Sequence, residues 1–339
     1  MKRILITRTD RLGDVVLSTP AIRLVRRQYP DAYIAFMVKP ENREIVAGNP
    51  HLDEVITYDK RRTHKGLLRT IIFALKLRKK KFDTAIALHP TNRVHIMLFA
   101  AGIPARIGYD RKMSRLLTRR MPHRKQEGLK HEVDYNFDLL AFAGITVKDA
   151  DRRPYITVLP EYKKRAEHIM ETSGITDNIV AIHAGASCPS KRWPPGRFSR
   201  VADALAAKRG ACIVLVGGKE SGTFNHLVIS EMRRPAIDLT GKLTIGELAA
   251  FFTRCRLLIS NDSGPVHVAV AVGTPVISIF GRRDTGLSPL RWGPLGKKDV
   301  VFHKNVGCIE CLAHNCLKGF ACLKAVTVDE ISRSAERFF

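Results

Sequence analysis

Residues 257–281 read LLISNDSGPVHVAVAVGTPVISIFG, and the order of residue types in this stretch decides the fold. An apolar run ends at Ser260, and Asn261 to Gly264 make a polar turn. Pro265 then fits the first turn of a helix, where its missing N–H costs nothing. Gly273 closes that helix and Pro275 opens the next apolar run. Both runs are continuously apolar instead of alternating. That predicts strands covered on both faces, hence a parallel sheet held between layers of helices.

The same grammar extends in both directions. Strands are predicted near Arg3–Thr7, Tyr33–Val38, Glu54–Tyr58, Thr84–Leu88 and Arg106–Gly108. A second set is predicted near Ile179–His183, Ala211–Val216, Ala236–Leu239, Leu257–Ser260, Pro275–Phe280 and Val300–Phe302. Between the sets, residues 151–164 carry two prolines and read as a linker. A chain of 339 residues exceeds what one core usually serves, so two α/β domains are expected. We place them at residues 1–155 and 156–325, followed by a terminal segment 326–339 whose Thr327 and Glu330 have capping-box spacing. In doubly wound sheets ligands sit beyond the carboxyl ends of the strands, so a cleft between the two domains is the expected site.

The chain carries 57 Lys and Arg against 32 Asp and Glu, a net charge of +25. Residues 1–153 hold 32 basic and 16 acidic residues, so +16 of that charge lies in the first half. Runs 60–62, 76–81 and 111–125 supply most of it and suit phosphorylated ligands or anionic lipid headgroups. The first residues lack the apolar core of a secretory signal, and no apolar run approaches the ~20 residues that span a bilayer. A cytoplasmic protein is expected.

Candidate site residues fall in the loops after strands. Free backbone N–H groups near Ser263, Gly264 and Val266 would form an anion site, and His267 in the first helical turn would add a donor. Asp262 or Ser263 as a plain helix cap is the alternative reading. In residues 179–205 a strand runs into the small-residue loop His183 to Ser190, and Lys191 follows, well placed to neutralise a diphosphate. Glu220, after Gly217-Gly218, suits ribose hydroxyls, although an acidic residue in a first helical turn is also favourable on its own. Thr240-Gly241 forms a turn where backbone can meet a nucleobase. After the first strand no G-x-G-x-x-G appears, which disfavours a dinucleotide oxidoreductase. Gly13 reads there as a tight turn. The helix that follows starts either at Asp14 or at Thr19-Pro20.

Three stretches, RTDRLGDVVLSTPAIRLVRRQYP (8–30), HAGASCPSKRWP (183–194) and NDSGPVHVAVAVGTPVISIFG (261–281), occur in this order. In them the chain, from residue 3 to about 330, resembles glycosyltransferase family 9, the ADP-heptose:lipopolysaccharide heptosyltransferases. The resemblance implies the GT-B arrangement of two Rossmann-like domains, acceptor on the first and nucleotide sugar on the second, and transfer with inversion. No cofactor and no bound metal are expected. By resemblance Asp14 is the general base, with Asp10 as runner-up on the same acceptor loop as Gly13. Lys191 and Ser187 contact phosphate, Glu220 the ribose, Leu243 the adenine surroundings, and Asp262 the donor sugar. Ser263, Gly264 and His267 hold the diphosphate. The implied partners are ADP-heptose, a phosphorylated lipopolysaccharide inner-core acceptor and the anionic inner face of the inner membrane. By analogy with GT-B enzymes, the last helix is expected to return to the first domain.

Four of seven cysteines, Cys308, Cys311, Cys316 and Cys322, crowd into one segment, but only one C-x₂-C occurs. Structural zinc with His303 or His314 and plain structural thiols both remain open. Two rival functions are a GT-B transferase using another nucleotide sugar and a basic nucleic-acid-binding protein. The second is disfavoured by the absence of any helix-turn-helix, zinc-finger or stacking-strand motif.

Overall fold

Short apolar runs become most of the twelve strands, which form two sheets. The computed structural model describes all residues, 1–339. The strands are β1 Arg3–Thr7, β2 Tyr33–Val38, β3 Glu54–Thr57, β4 Thr84–Ala87, β5 Ala105–Tyr109, β6 Arg119–Met121, β7 Ile179–His183, β8 Cys212–Leu215, β9 Ile237–Asp238, β10 Leu257–Asn261, β11 Val276–Phe280 and β12 Val300–His303. The first sheet has the order β3-β2-β1-β4-β5-β6 and the second β12-β11-β10-β7-β8-β9, with every pairing parallel. β1, β4, β7, β10 and β11 are buried almost throughout, as continuous apolar runs demand. β6 was not anticipated: its residues Arg119, Arg120 and Met121 form an edge strand without an apolar pattern.

The chain divides into two compact units. One comprises Met1–Gln126 and Glu132–Thr157, the other Glu127–His131 and Val158–Phe339. Of the expected linker 151–164, residues up to 159 are irregular, and a helix already starts at Pro160.

The helices used below are α1 Leu12–Val16, α2 Thr19–Gln28, α3 Leu67–Arg78, α4 Asn92–Ala100, α5 Glu132–Phe142, α6 Pro195–Arg209, α7 Gly264–Ala271 and α8 Val328–Glu336. Both proposed helix starts after β1 correspond to a helix, two helices forming where one was expected. A short helix already begins at Leu12, with Asp14 inside its first turn, and a second begins at Thr19. Thr19 does not cap it: its hydroxyl donates to the Val16 carbonyl at 2.7 Å. Gly13 lies inside α1 and is absent from the positive-φ glycines, so the tight turn expected of it does not exist.

The terminal helix also corrects an expectation. Thr327 and Glu330 do form the capping box. The helix it starts, however, packs on α6 within the second unit, with Ile331 and Ala335 in one apolar cluster with Trp193, Phe198, Val201 and Leu205. The Trp193 indole N–H donates to the Val326 carbonyl at 3.1 Å and ties the start of this segment to the same core.

Candidate active-site loops

In the first unit, the ends of β1 and β4 and the start of α5 enclose a set of buried charges. Arg8, at the end of β1, donates to Asp10 at 2.9 Å, to Asp14 at 2.5 Å and to Glu132 at 3.0 Å. Lys125 donates to Glu132 at 2.6 Å, and Asn136 accepts from both Arg8 and Lys125. Two cations therefore face three carboxylates. Burial, the negative charges of Asp10 and Glu132, and only partial relief from Arg8 push Asp14 up to about 6. Arg8 is held charged: burial opposes its charge, but Asp10, Asp14 and Glu132 outweigh that and raise it. His89, beyond the end of β4, is driven down to about 4 by burial and by Arg8, so it is neutral. Asp14 thus sits in a place where a carboxylate exchanges its proton near neutrality.

Beside this network lies a cavity of about 400 Å³ lined by Thr9, Tyr58, Lys60, Arg61, Thr91, Asn92 and Arg93. Three cationic side chains, Lys60 and Arg61 after β3 and Arg93 at the start of α4, suit an anionic ligand.

In the second unit, the polar turn after β10 and the loop after β7 meet. The Asn261 amide donates to the Ala184 carbonyl at 2.7 Å and accepts from the Trp193 N–H at 2.9 Å, pinning both ends of the loop. Gly185 is required there, because a Cβ would stand 2.3 Å from the Ser221 hydroxyl oxygen. Ser263 occupies the cap position of α7, but its side chain does not cap the helix. Its Oγ lies 3.1 Å from His183 Nδ1 and 3.0 Å from Ser260 Oγ instead. The first N–H groups of α7 thus lack a side-chain cap, the usual condition of an anion site. His267, in that first turn, is buried with Nδ1 unpartnered, and burial followed by the His131 charge lowers it to about 3.

Lys191 Nζ stands 2.8 Å and Arg282 Nη2 2.7 Å from the same oxygen of Asp262. Lys191 and Asp262, assigned to phosphate and to sugar by resemblance, therefore form one ion pair in this structure. Sequence reasoning missed Arg282, although two arginines directly after a core strand are a usable signal for a ligand loop. Its φ of 54° is left-handed, uncommon for a residue with a Cβ. Ser187 and Glu220 are exposed on the loops after β7 and β8, and Leu243 is half-buried after β9. Sequence reasoning also missed Arg8, Glu132, Lys125 and Asn136. Lys125, read as part of a surface basic run, is buried against Glu132.

The four clustered cysteines line a separate cavity of about 280 Å³. All seven cysteines are free, and no group of three or more His, Cys, Asp or Glu side chains is arranged to hold a metal ion. His303 instead pairs with the Arg282 carbonyl and His314 with Ser190. Cys311 accepts the Arg283 N–H at 3.2 Å, and Cys322 accepts that of Arg282. The cysteine segment thus grips the backbone that presents Arg282.

Two Rossmann-like parallel sheets with polar loops at their strand ends define the GT-B class of glycosyltransferase. Residues 71–321 match "Glycosyltransferase family 9 (heptosyltransferase)", and the chain belongs to that family. It is 29% identical over 297 residues to lipopolysaccharide heptosyltransferase 3 of Escherichia coli, covering 86% of this chain and 85% of that protein. Among solved structures it resembles a family 9 glycosyltransferase of Veillonella parvula, with 27% identity, TM-score 0.88, and 99% and 97% of the two chains covered. An E. coli heptosyltransferase crystallised with ADP-2-deoxy-2-fluoro heptose shares the fold at 18% identity and TM-score 0.72, over 99% of each chain.

Replacing Arg8 by Met leaves the buried Glu132 and the partly buried Asp10 and Asp14 without their shared cation, which costs about 3–5 kcal/mol. Carboxylates raised in the folded state bind protons more tightly than when unfolded, so stability recovers as pH falls. Melting curves of Arg8→Met should show a larger deficit from wild type at pH 8 than at pH 5.

Proposed function

We propose that the protein is an inverting, metal-independent heptosyltransferase. It moves heptose from ADP-heptose to the phosphorylated inner core of lipopolysaccharide, at the cytoplasmic face of the inner membrane. The observation that carries this reading is the order of loops along the second sheet. From β9 through β8, β7 and β10 to β11 they carry Leu243, Glu220, Ser187 with Lys191, then Asp262 to His267, then Arg282. Base, ribose, diphosphate and sugar follow one another in a nucleotide sugar, and the residue types run in that order. Four strand spacings of ~4.8 Å give roughly 19 Å for the array. The names of the relatives support heptose and lipopolysaccharide, and the Lys60, Arg61 and Arg93 cavity supports a phosphorylated acceptor.

In this mechanism the acceptor oxygen attacks the anomeric carbon while the bond from that carbon to the ADP oxygen breaks. Asp14 takes the hydroxyl proton, and the electron pair leaves with ADP. Lys191, the N–H groups at the start of α7 and His267 meet the negative charge that grows on the diphosphate. Asp262 is the acceptor for donor-sugar hydroxyls, held in position by Lys191 and Arg282.

A panel of nucleotide sugars offered with a defined acceptor and read by mass spectrometry should give product from ADP-heptose alone. Equal transfer from a different nucleotide sugar would overturn the donor assignment. Asp14→Asn should abolish transfer while ADP binding by calorimetry stays within twofold. In the wild type kcat/KM should fall below about pH 6, where Asp14 takes up its proton, and Asp10→Asn should move that limb to lower pH. Lys191→Ala should reduce kcat/KM for the donor by about 10² to 10³ with acceptor KM unchanged.

A further inference from the structure

Helix α3 has an unusual outer face. Thr70, Ala74 and Leu77, at i, i+4 and i+7, are buried in the first unit, where α3 packs on α4. On the opposite side, at the spacing that again puts residues on one face, stand Leu68, Ile72 and Leu75, exposed by 71%, 48% and 49%. Leu67 is exposed as well. A surface helix of a globular protein ordinarily shows polar side chains there, and one that is apolar on both faces normally has a second apolar neighbour.

The surroundings say what that neighbour is. Residues 60–82 contain ten Lys or Arg and no Asp or Glu. Lys80 alone among the ten has an ion-pair partner, Glu54. Lys65, Arg69, Lys76 and Lys79 stand beside or within the aliphatic stripe, all exposed. A second copy of the chain on this face would bring the two sets of cations together. A nucleic acid or an acidic protein would match the charge but leave the aliphatic stripe unused. An anionic lipid surface answers both, with headgroups for the cations and the acyl boundary for the aliphatic side chains.

We infer that α3 is the membrane-contact helix, lying in the interfacial plane of an anionic bilayer with Leu68, Ile72 and Leu75 inserted. The inference rests on the reading above in that it names the surface through which a lipid-anchored acceptor is reached. The basic segment 60–65 joins α3 to the cavity lined by Lys60 and Arg61, so a helix in the interface brings that cavity to the headgroup level.

The test uses the full chain and sugar-free vesicles of phosphatidylcholine, with or without a quarter of phosphatidylglycerol, at 0.15 M salt. Wild type should sediment with the anionic vesicles and not with the neutral ones. The triple substitution Leu68→Ser, Ile72→Ser and Leu75→Ser should weaken binding tenfold or more, with unchanged melting and unchanged transfer to a water-soluble, delipidated acceptor. Leu68→Trp should show blue-shifted emission and quenching by brominated lipid. Wild-type-like binding by the triple variant, an unquenched tryptophan, or no wild-type binding would each overturn the inference, as would a dimer in light scattering that the triple variant abolishes. Transfer to the soluble acceptor is read separately, so loss of the catalytic reading and loss of this one are told apart.

Discussion

One guanidinium organises the first unit. Arg8 leaves the end of β1 and is shared by Asp10, Asp14 and Glu132, residues on three separate segments. Remove its charge and the segments after β1 and at the start of α5 would present three carboxylates to one another. With it, and with Lys125, the network still falls one positive charge short. Burial, reinforced by that shortfall, lifts Asp14 to about 6. The constraint that holds the loop together therefore also sets the proton affinity of its most exposed carboxylate.

The second unit has the opposite imbalance. Lys191 and Arg282 converge on a single carboxylate, Asp262, leaving one positive charge in excess beside the uncapped start of α7. His183 and His267 add no charge, because burial keeps both neutral. A surplus of positive potential suits a group that gains negative charge, and a carboxylate poised near neutrality suits one that loses a proton. These are the two demands of glycosyl transfer by a single displacement.

Much of this was legible in the chain because it is local. Continuous apolar runs announced the buried strands, and Pro265 and Gly273 bracket α7 as expected. Asp14, Lys191 and Asp262 stand in the segments that follow strands β1, β7 and β10, where ligand residues are sought. What escaped depends on long-range contact. Glu132 and Lys125 bear on Asp14 only after folding closes a separation of more than a hundred residues, and Arg282 meets Asp262 only because β11 lies beside β10. Thr19-Pro20 looked like a helix start, and a helix does begin there. The alternative start at Asp14 pointed to α1, but no local pattern showed that both helices form or that α1 begins at Leu12. The capping box at Thr327 fixed where α8 begins but not which core its apolar face would join.

Asn261 has a further consequence for affinity. By clasping both Ala184 and Trp193, one amide makes the loop after β7 and the turn after β10 a single stiff body. A nucleotide touching either segment finds the other already in register, so little conformational freedom is surrendered on binding. Selectivity on this side of the molecule then comes from fit against a preset surface instead of closure around the guest.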